Sequence, residues 1–100
     1  MLLARIKTDL VSAVKSRDEA RLLVLRFLLS EIHNREIELR GQKKELTDEI
    51  LFSLIKKEVK RRQEAFAAFQ QGKRPELAAK ELAEQKILIA YLPITKSLLD

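Results

Sequence analysis

The scarcity of helix breakers limits the fold of this chain more than any other sequence feature. Glycine occurs only at Gly41 and Gly72 and proline only at Pro75 and Pro93. Between these residues, apolar side chains recur every three or four positions, the period of an amphipathic α-helix. Long uninterrupted segments with this period predict an all-α fold with few and long helices.

Capping signals divide the chain into four main helices. Asp18 and Thr47 are suited to N-cap positions, and Pro75 fits a first helical turn. Gly41 is a C-terminal stop, and Gly72 is predicted to end the third helix in the left-handed conformation. The connections are short, which favours an antiparallel bundle that is at least about 70% helical, against a usual helix share near one third. The predicted helices cover about residues 2–16, 18–40, 48–71 and 75–92.

The apolar stripes of these helices define a candidate core. The second helix has the longest apolar face and is predicted to lie centrally. The residues expected to be buried are Leu25, Leu29, Ile55, Val59, Phe66 and Leu88.

Charged residues inside the apolar stripes predict ion pairs between helices, because a buried charge is costly unless it is paired. Glu58 and Arg62 are four residues apart on the buried side of the third helix. Reflection of the chain about Lys73 places positions that sum to about 146 opposite each other. Arg62 then faces Glu84 and lies within one turn of Glu81. We interpret these residues as structural ion pairs, with a polar contact site as the alternative.

Composition excludes several classes of site. The chain has no cysteine and one histidine, so neither a thiolate metal site nor a histidine zinc site is available. No Gly-rich loop or nucleophile-base pair is present, and His33 is expected to be a partly exposed surface residue. We predict no catalytic residue, cofactor or metal.

No apolar run approaches the roughly 20 residues of a membrane span, and a cytoplasmic protein is expected.

The densest basic cluster points to an acidic partner. The net charge is +5 and the pI is about 9.7, a mild basic excess. Lys56, Lys57 and Lys60 are directed away from the apolar stripe of the third helix, whereas Arg62 falls inside it. The three lysines are candidate nucleic-acid contacts, and a merely solvated helix face is the alternative.

An ordered set of residues resembles the YqeY-like proteins. The resemblance covers about residues 2–93 and includes Arg21-Leu22, Leu25-Arg26, Leu28-Leu29, Ile32, Asn34 and Glu36-Ile37 in the second helix. The later matches are Leu46-Thr47-Asp48-Glu49, Lys57-Glu58-Val59-Lys60, Arg61-Arg62, Gly72, Glu76-Leu77, Lys80-Glu81, Ala83-Glu84 and Tyr91-Leu92-Pro93.

The resemblance implies a four-helix N-terminal domain followed by a smaller helical domain. The same pair occurs at the end of the B subunit of the glutamyl/aspartyl-tRNA amidotransferase, where the region is similar to an appendage that helps hold tRNA. We therefore expect residues 1–93 to form the YqeY-like N-terminal domain, with 94–100 as the start of a C-terminal element that is otherwise missing.

Three functions follow as expectations. The first is a non-catalytic accessory module that binds tRNA or an amidotransferase-like complex. The second is a protein-protein interaction domain without an RNA role. The third is part of a carbon–nitrogen ligase that uses glutamine as amide donor, as the family label implies.

Overall fold

The computed structural model describes residues 1–93, which form four α-helices joined by short turns. The helices are α1 (Leu2–Ser16), α2 (Glu19–Gly41), α3 (Asp48–Gln71) and α4 (Pro75–Ile89). They account for 83% of the described residues, among which there is no strand. The predicted all-α helical bundle is confirmed. The C-terminal element predicted to begin at residue 94 lies outside the described residues.

The helix starts follow the capping chemistry of the sequence. The Asp18 carboxylate accepts a hydrogen bond from the Arg21 backbone N–H at 3.1 Å, and the Thr47 hydroxyl accepts one from Ile50 N–H at 3.3 Å. Pro75 occupies the first turn of α4. Each side-chain acceptor satisfies a backbone donor that has no partner within the helix, so both predicted N-caps are confirmed.

The helix ends differ from the prediction, because basic residues and not glycines take the left-handed conformation. Arg17, Lys43 and Lys73 have φ of 58°, 57° and 56°, whereas Gly72 has φ of −81°. After each of α1, α2 and α3, paired backbone bonds close the turn around this residue, for example Arg74 N–H to Phe69 O at 2.8 Å and Lys73 N–H to Gln70 O at 3.1 Å. A cation there lies beside the negative end of the helix dipole.

The fourth helix ends at Ile89, three residues before the predicted Leu92. Tyr91 N–H bonds to Leu88 O and Leu92 N–H to Ile89 O, so the chain tightens into turns after the helix. Tyr91 and Leu92 are buried in the core. The Tyr91 hydroxyl donates a 2.5 Å hydrogen bond to Asp9 of α1, and the Arg5 guanidinium lies 4.9 Å from the Tyr91 ring centre. These contacts bind the end of α4 to α1.

The helices pack unevenly against one another. The closest association is between α3 and α4, followed by α1 with α2, and α2 contacts all three other helices. Because α3 also contacts all three other helices and packs more extensively than α2, the central position predicted for the second helix is shared with α3. Although α2 and α3 are consecutive, α2 packs more extensively against α4 than against α3.

The core contains most of the predicted residues. Leu25, Ile55, Val59 and Leu88 are buried, as expected. The largest fully buried side chains are Ile6, Leu25, Leu28, Ile32, Leu39, Leu51 and Ile55. The predictions for Leu29 and Phe66 are wrong, because both are only partly buried.

The wrong prediction that Leu29 is buried has a physical reason. Residues 22–25 and 27–29 are all apolar, so the helix has apolar side chains on nearly every side and more than one stripe fits the period. Contact with three neighbours selects the face that carries Val24 and Leu28 and leaves Leu23 and Phe27 exposed.

Replacement of Tyr91 by phenylalanine is expected to lower the free energy of unfolding by about 1–2 kcal/mol, because Asp9 loses its hydrogen-bond donor.

Burial and then the bond to Asp9 raise the pKa of Tyr91. The unfolded phenol ionises near pH 10, so the wild-type protein should lose stability above about pH 10, and the variant should lose less. Urea unfolding followed by circular dichroism at several pH values measures both effects. Equal alkaline stability losses in both proteins would contradict the role of Tyr91.

Candidate nucleic-acid interface and an ionic groove

The three candidate lysines share the solvent face of α3. Lys56, Lys57 and Lys60 are all exposed, opposite the buried residues Leu51 and Ile55. Within residues 1–93, none of the three lysines forms an ion pair. Their ammonium groups are therefore available to an acidic partner.

A fourth cation from α2 adjoins this face. Arg35 and Lys57 line a shallow cavity of about 210 Å³ together with Ile50, Ser53 and Leu54. One nitrogen of Arg35, Nη1, lies 2.9 Å from Glu38 Oε2, and the Arg35 side chain remains 35% exposed. Arg35 is not among the residues that the sequence predicts for this interface, because no local pattern in α2 indicates which residue of α3 lies beside it. We call Arg35, Lys56, Lys57 and Lys60 the basic face.

The charged residues of the two apolar stripes lie together in an ionic cluster between α3 and α4. The Nη1 atom of Arg62 lies 3.1 Å from Glu81 Oε2 and 3.2 Å from Glu84 Oε2. Its Nη2 atom lies 3.5 Å from Glu58 Oε2 within α3. From α2, the Phe27 ring centre is 5.7 Å from the Arg62 guanidinium carbon. Antiparallel pairing across the turn at Lys73 thus brings Arg62 to both carboxylates that the sequence places near it.

Glu58 is the one buried charged residue among those described. Its exposed fraction is 4%. One carboxylate oxygen, Oε1, accepts a 2.7 Å hydrogen bond from Arg61 Nη1. The other oxygen, Oε2, is buried and receives no hydrogen bond from any described residue, since Arg62 at 3.5 Å gives only an ion-pair contact.

A groove lies beside this cluster. A cavity of about 180 Å³ is lined by Leu23, Val24, Phe27, Leu28, Glu58, Arg62, Lys80, Glu84 and Leu88. Burial, followed by the charge of Glu81, raises the pKa of Glu84, and the positive charges of Arg62 and Lys80 oppose that rise. We call this cavity and its lining the ionic groove.

The described residues contain neither a metal-binding cluster nor a membrane-spanning helix. In residues 1–93, no group of three or more His, Cys, Asp or Glu side chains is arranged to hold a metal ion. No helix in the same range is long and apolar enough to cross a membrane. His33 is exposed on α2.

Comparison with known protein families identifies the family of this chain. The family model described as Yqey-like protein matches residues 3–98, almost the whole chain. The chain belongs to the YqeY-like family. The resemblance that the residue pattern of α2, α3 and α4 indicated is confirmed.

Relatives of this YqeY-like chain carry the name Altered inheritance of mitochondria protein 41, mitochondrial. The protein from Kluyveromyces lactis is 35% identical over 89% of the chain and 47% of its own length. That from Saccharomyces cerevisiae (strain YJM789) is 33% identical over 93% of the chain and 51% of its length, and that from Pyrenophora tritici-repentis is 32% identical over 91% and 49%. The chain spans about half the length of the curated relatives it matches.

Proposed function

We propose that this YqeY-like domain is a non-catalytic accessory module that binds tRNA, alone or within an amidotransferase-type complex, through the basic face, which consists of three lysines of α3 and Arg35 of α2. The observation that supports this proposal is the exposure of Lys56, Lys57 and Lys60 on one side of one helix without any ion pair among the described residues. A rigid helix holds the three cations at neighbouring positions, and the core residues of the opposite side anchor that helix.

The arrangement suits a phosphate backbone. Lys56 and Lys60 are one helical turn apart, and residues at this spacing project side by side. Arg35 adds a planar guanidinium next to Lys57, a group that recognises phosphate oxygens in pairs. Phosphate contacts of this kind position a nucleic acid without reading its sequence. The expected ligand class is therefore tRNA as a folded polyanion, not a particular base sequence.

The other two functions remain as alternatives. A protein-protein interaction domain is favoured by the exposed apolar side chains of Leu23 and Phe27 beside the ionic groove. For the carbon–nitrogen ligase, no described residue supplies a nucleophile-base pair that supports it. A cytoplasmic location, the absence of a catalytic group and the absence of a bound cofactor or metal stay predictions. The names of the relatives assign those proteins to mitochondria.

The double variant Lys56→Ala/Lys60→Ala is expected to weaken tRNA binding about tenfold or more and to leave the unfolding midpoint nearly unchanged, because both side chains are exposed. Phosphate contacts by the three lysines alone predict that wild-type affinity falls at least roughly 40-fold between about 50 and about 200 mM salt. Fluorescence titration with bulk tRNA and thermal melting measure these quantities.

The matched control is Lys7→Ala/Lys86→Ala, which removes the same charge from α1 and α4. If the control loses as much affinity as the α3 variant, net charge and not the basic face governs binding. Affinity for tRNA that is insensitive to salt, or no binding at low salt, would refute the RNA proposal and favour the interaction domain.

A further inference from the structure

The turn between α3 and α4 borders an open cavity of about 490 Å³. The end of α3, the turn and the start of α4 supply its lining, which consists of Phe66, Gln70, Lys73, Arg74, Pro75, Ala78, Ala79 and Leu82. No residue of α1 or α2 lines it. Among the described residues, the main hydrophobic core includes none of α3 after Val59 and none of α4 before Ile87. The cavity is therefore a surface that the bundle itself does not fill.

Phe66 gives this cavity an aromatic wall. The residue is only partly buried, although the apolar period of α3 predicts it in the core. Ala79 and Leu82 add apolar surface from α4. Gln70 is exposed four residues after Phe66, so the two side chains are neighbours on the helix surface. An aromatic ring beside an amide that both donates and accepts hydrogen bonds suits a planar heterocycle.

The charged groups of the cavity are positive. Lys73 and Arg74 are exposed, and neither forms an ion pair within residues 1–93. No carboxylate of the described residues lines the cavity, and Glu76, the acidic residue next to the turn, is exposed and lines a separate cavity. The 2.8 Å bond from Arg74 N–H to Phe69 O holds the turn in place. This charge favours an anionic occupant.

An exposed stripe of α3 connects the cavity with the basic face. Successive members of the stripe are three or four residues apart, and all are exposed: Lys56, Lys60, Gln63, Ala67 and Gln70. This spacing keeps them on one side of the helix. The distance from Lys56 to Gln70 along the helix is about 21 Å, at about 1.5 Å per residue. No member is acidic, so a polyanion held by the lysines can follow the stripe to the cavity.

We propose that this cavity binds one unpaired nucleotide of an RNA whose backbone lies on the basic face. The base stacks on Phe66, and its phosphate contacts Lys73 and Arg74. Cavities of about 300–1,000 Å³ with apolar walls and a few polar groups are the usual form of small-molecule sites. Stacking accepts any base, so the site recognises an unstacked nucleotide and not a sequence. Its part in tRNA binding rests on the proposed function.

The first test compares adenosine monophosphate with the corresponding ribose phosphate, which carries the same phosphate without the base. NMR titration into the isotopically labelled chain is expected to show about tenfold tighter binding of the nucleotide, with shifted resonances at Ala78, Ala79 and Leu82. Equal affinities, or shifts only outside the cavity, would overturn the proposal. So would equally tight binding of the acidic peptide acetyl-Leu-Glu-Leu-amide, because the cavity would then accept any anion with an apolar neighbour.

A leucine variant tests the stacking. Phe66→Leu keeps an apolar side chain and removes the aromatic face, so it should weaken the nucleotide about fivefold and leave the ribose phosphate unchanged. The control is Phe69→Leu, because Phe69 is also partly buried on α3 but does not line the cavity. If the two variants bind the nucleotide alike, the base does not stack on Phe66.

The two cations have a control with the same backbone conformation. Lys73→Ala/Arg74→Ala should weaken both the nucleotide and the ribose phosphate about fivefold or more. Lys43→Ala/Lys44→Ala removes the same charge from the turn between α2 and α3 and should change neither. Lys43 has φ of 57° and Lys73 has φ of 56°, so both variants place alanine in the left-handed conformation and should melt alike. An equal loss of affinity in both variants would contradict the site.

Titration with tRNA tests the nucleotide site and the proposed function separately. Phe66→Leu should weaken tRNA binding about threefold to fivefold, less than Lys56→Ala/Lys60→Ala does. If the lysine variant loses tRNA and Phe66→Leu binds it like wild type, the cavity takes no nucleotide of tRNA and the proposed function stands. If tRNA does not bind although adenosine monophosphate occupies the cavity, the proposed function fails and the nucleotide site is supported.

Discussion

Replacement of Leu28 by alanine is expected to lower the free energy of unfolding by about 2–5 kcal/mol, enough to unfold much of a domain of this size. Leu28 is 0% exposed in the core, on α2, which contacts all three other helices. The loss combines the transfer free energy of the removed methyl groups with a cavity that three packed helices close only in part. Urea unfolding at neutral pH measures it.

The neighbouring leucine is the matched control. Leu29→Ala removes the same atoms from the same helix, but Leu29 is only partly buried against the core, so the expected loss is about half as large. The periodicity of the sequence places Leu29 in the core, and the structure gives that place to Leu28. If Leu29→Ala proves the more destabilising of the two, α2 is rotated relative to the structure described here.

Replacement of Arg62 by alanine is expected to lower the free energy of unfolding by about 2–4 kcal/mol. The substitution leaves three mostly buried carboxylates without the guanidinium that they share, and removal of one partner from a buried ion pair costs about 3–5 kcal/mol. The lower range allows for the 25% exposure of Arg62, which lets water screen part of the charge. The control Lys60→Ala, on the exposed face of α3, should change stability little.

Acid should restore part of this loss. Burial and Glu81 raise the pKa of Glu84, and Arg62 opposes that rise, so without Arg62 the pKa of Glu84 increases further. An acid whose pKa is raised in the folded state binds more protons folded than unfolded, and stability then increases as pH falls towards the usual pKa. The deficit of Arg62→Ala relative to wild type should shrink between about pH 7 and about pH 5. A deficit that is independent of pH would contradict this reading and leave lost packing as the cause.

Melting and binding measurements together distinguish the structural role of Arg62 from the RNA-binding role of the lysines. If Arg62→Ala melts like wild type and yet loses tRNA binding, Arg62 belongs to the RNA interface and the assignment of roles is reversed. If the lysine variants lose binding without loss of stability, the basic face acts independently of the ionic groove. Both measurements use the same protein samples, so a loss of tRNA binding can be distinguished from a loss of stability.

The α3–α4 pairing shows how far a local pattern extends into tertiary structure. The turn between Gln71 and Pro75 is short, so the antiparallel partner of Arg62 follows from counting residues on either side of it. Its contacts with Glu81 and Glu84 need no knowledge of α1 or α2. The position of Arg35 beside Lys57, where both line one cavity, is different, because it depends on the rotation of α2 relative to α3, which the whole bundle sets.

By itself, the sequence determined the four helices, the N-caps of α2 and α3 and the family, because these depend on breakers, capping side chains and periodicity within a few residues of one another. Tertiary structure alone decided that Leu28 and not Leu29 is buried, that Arg35 joins the basic face, and that Tyr91 turns back to Asp9. The physical reason is that a helix with apolar residues on most sides has no preferred face until its neighbours bury one of them.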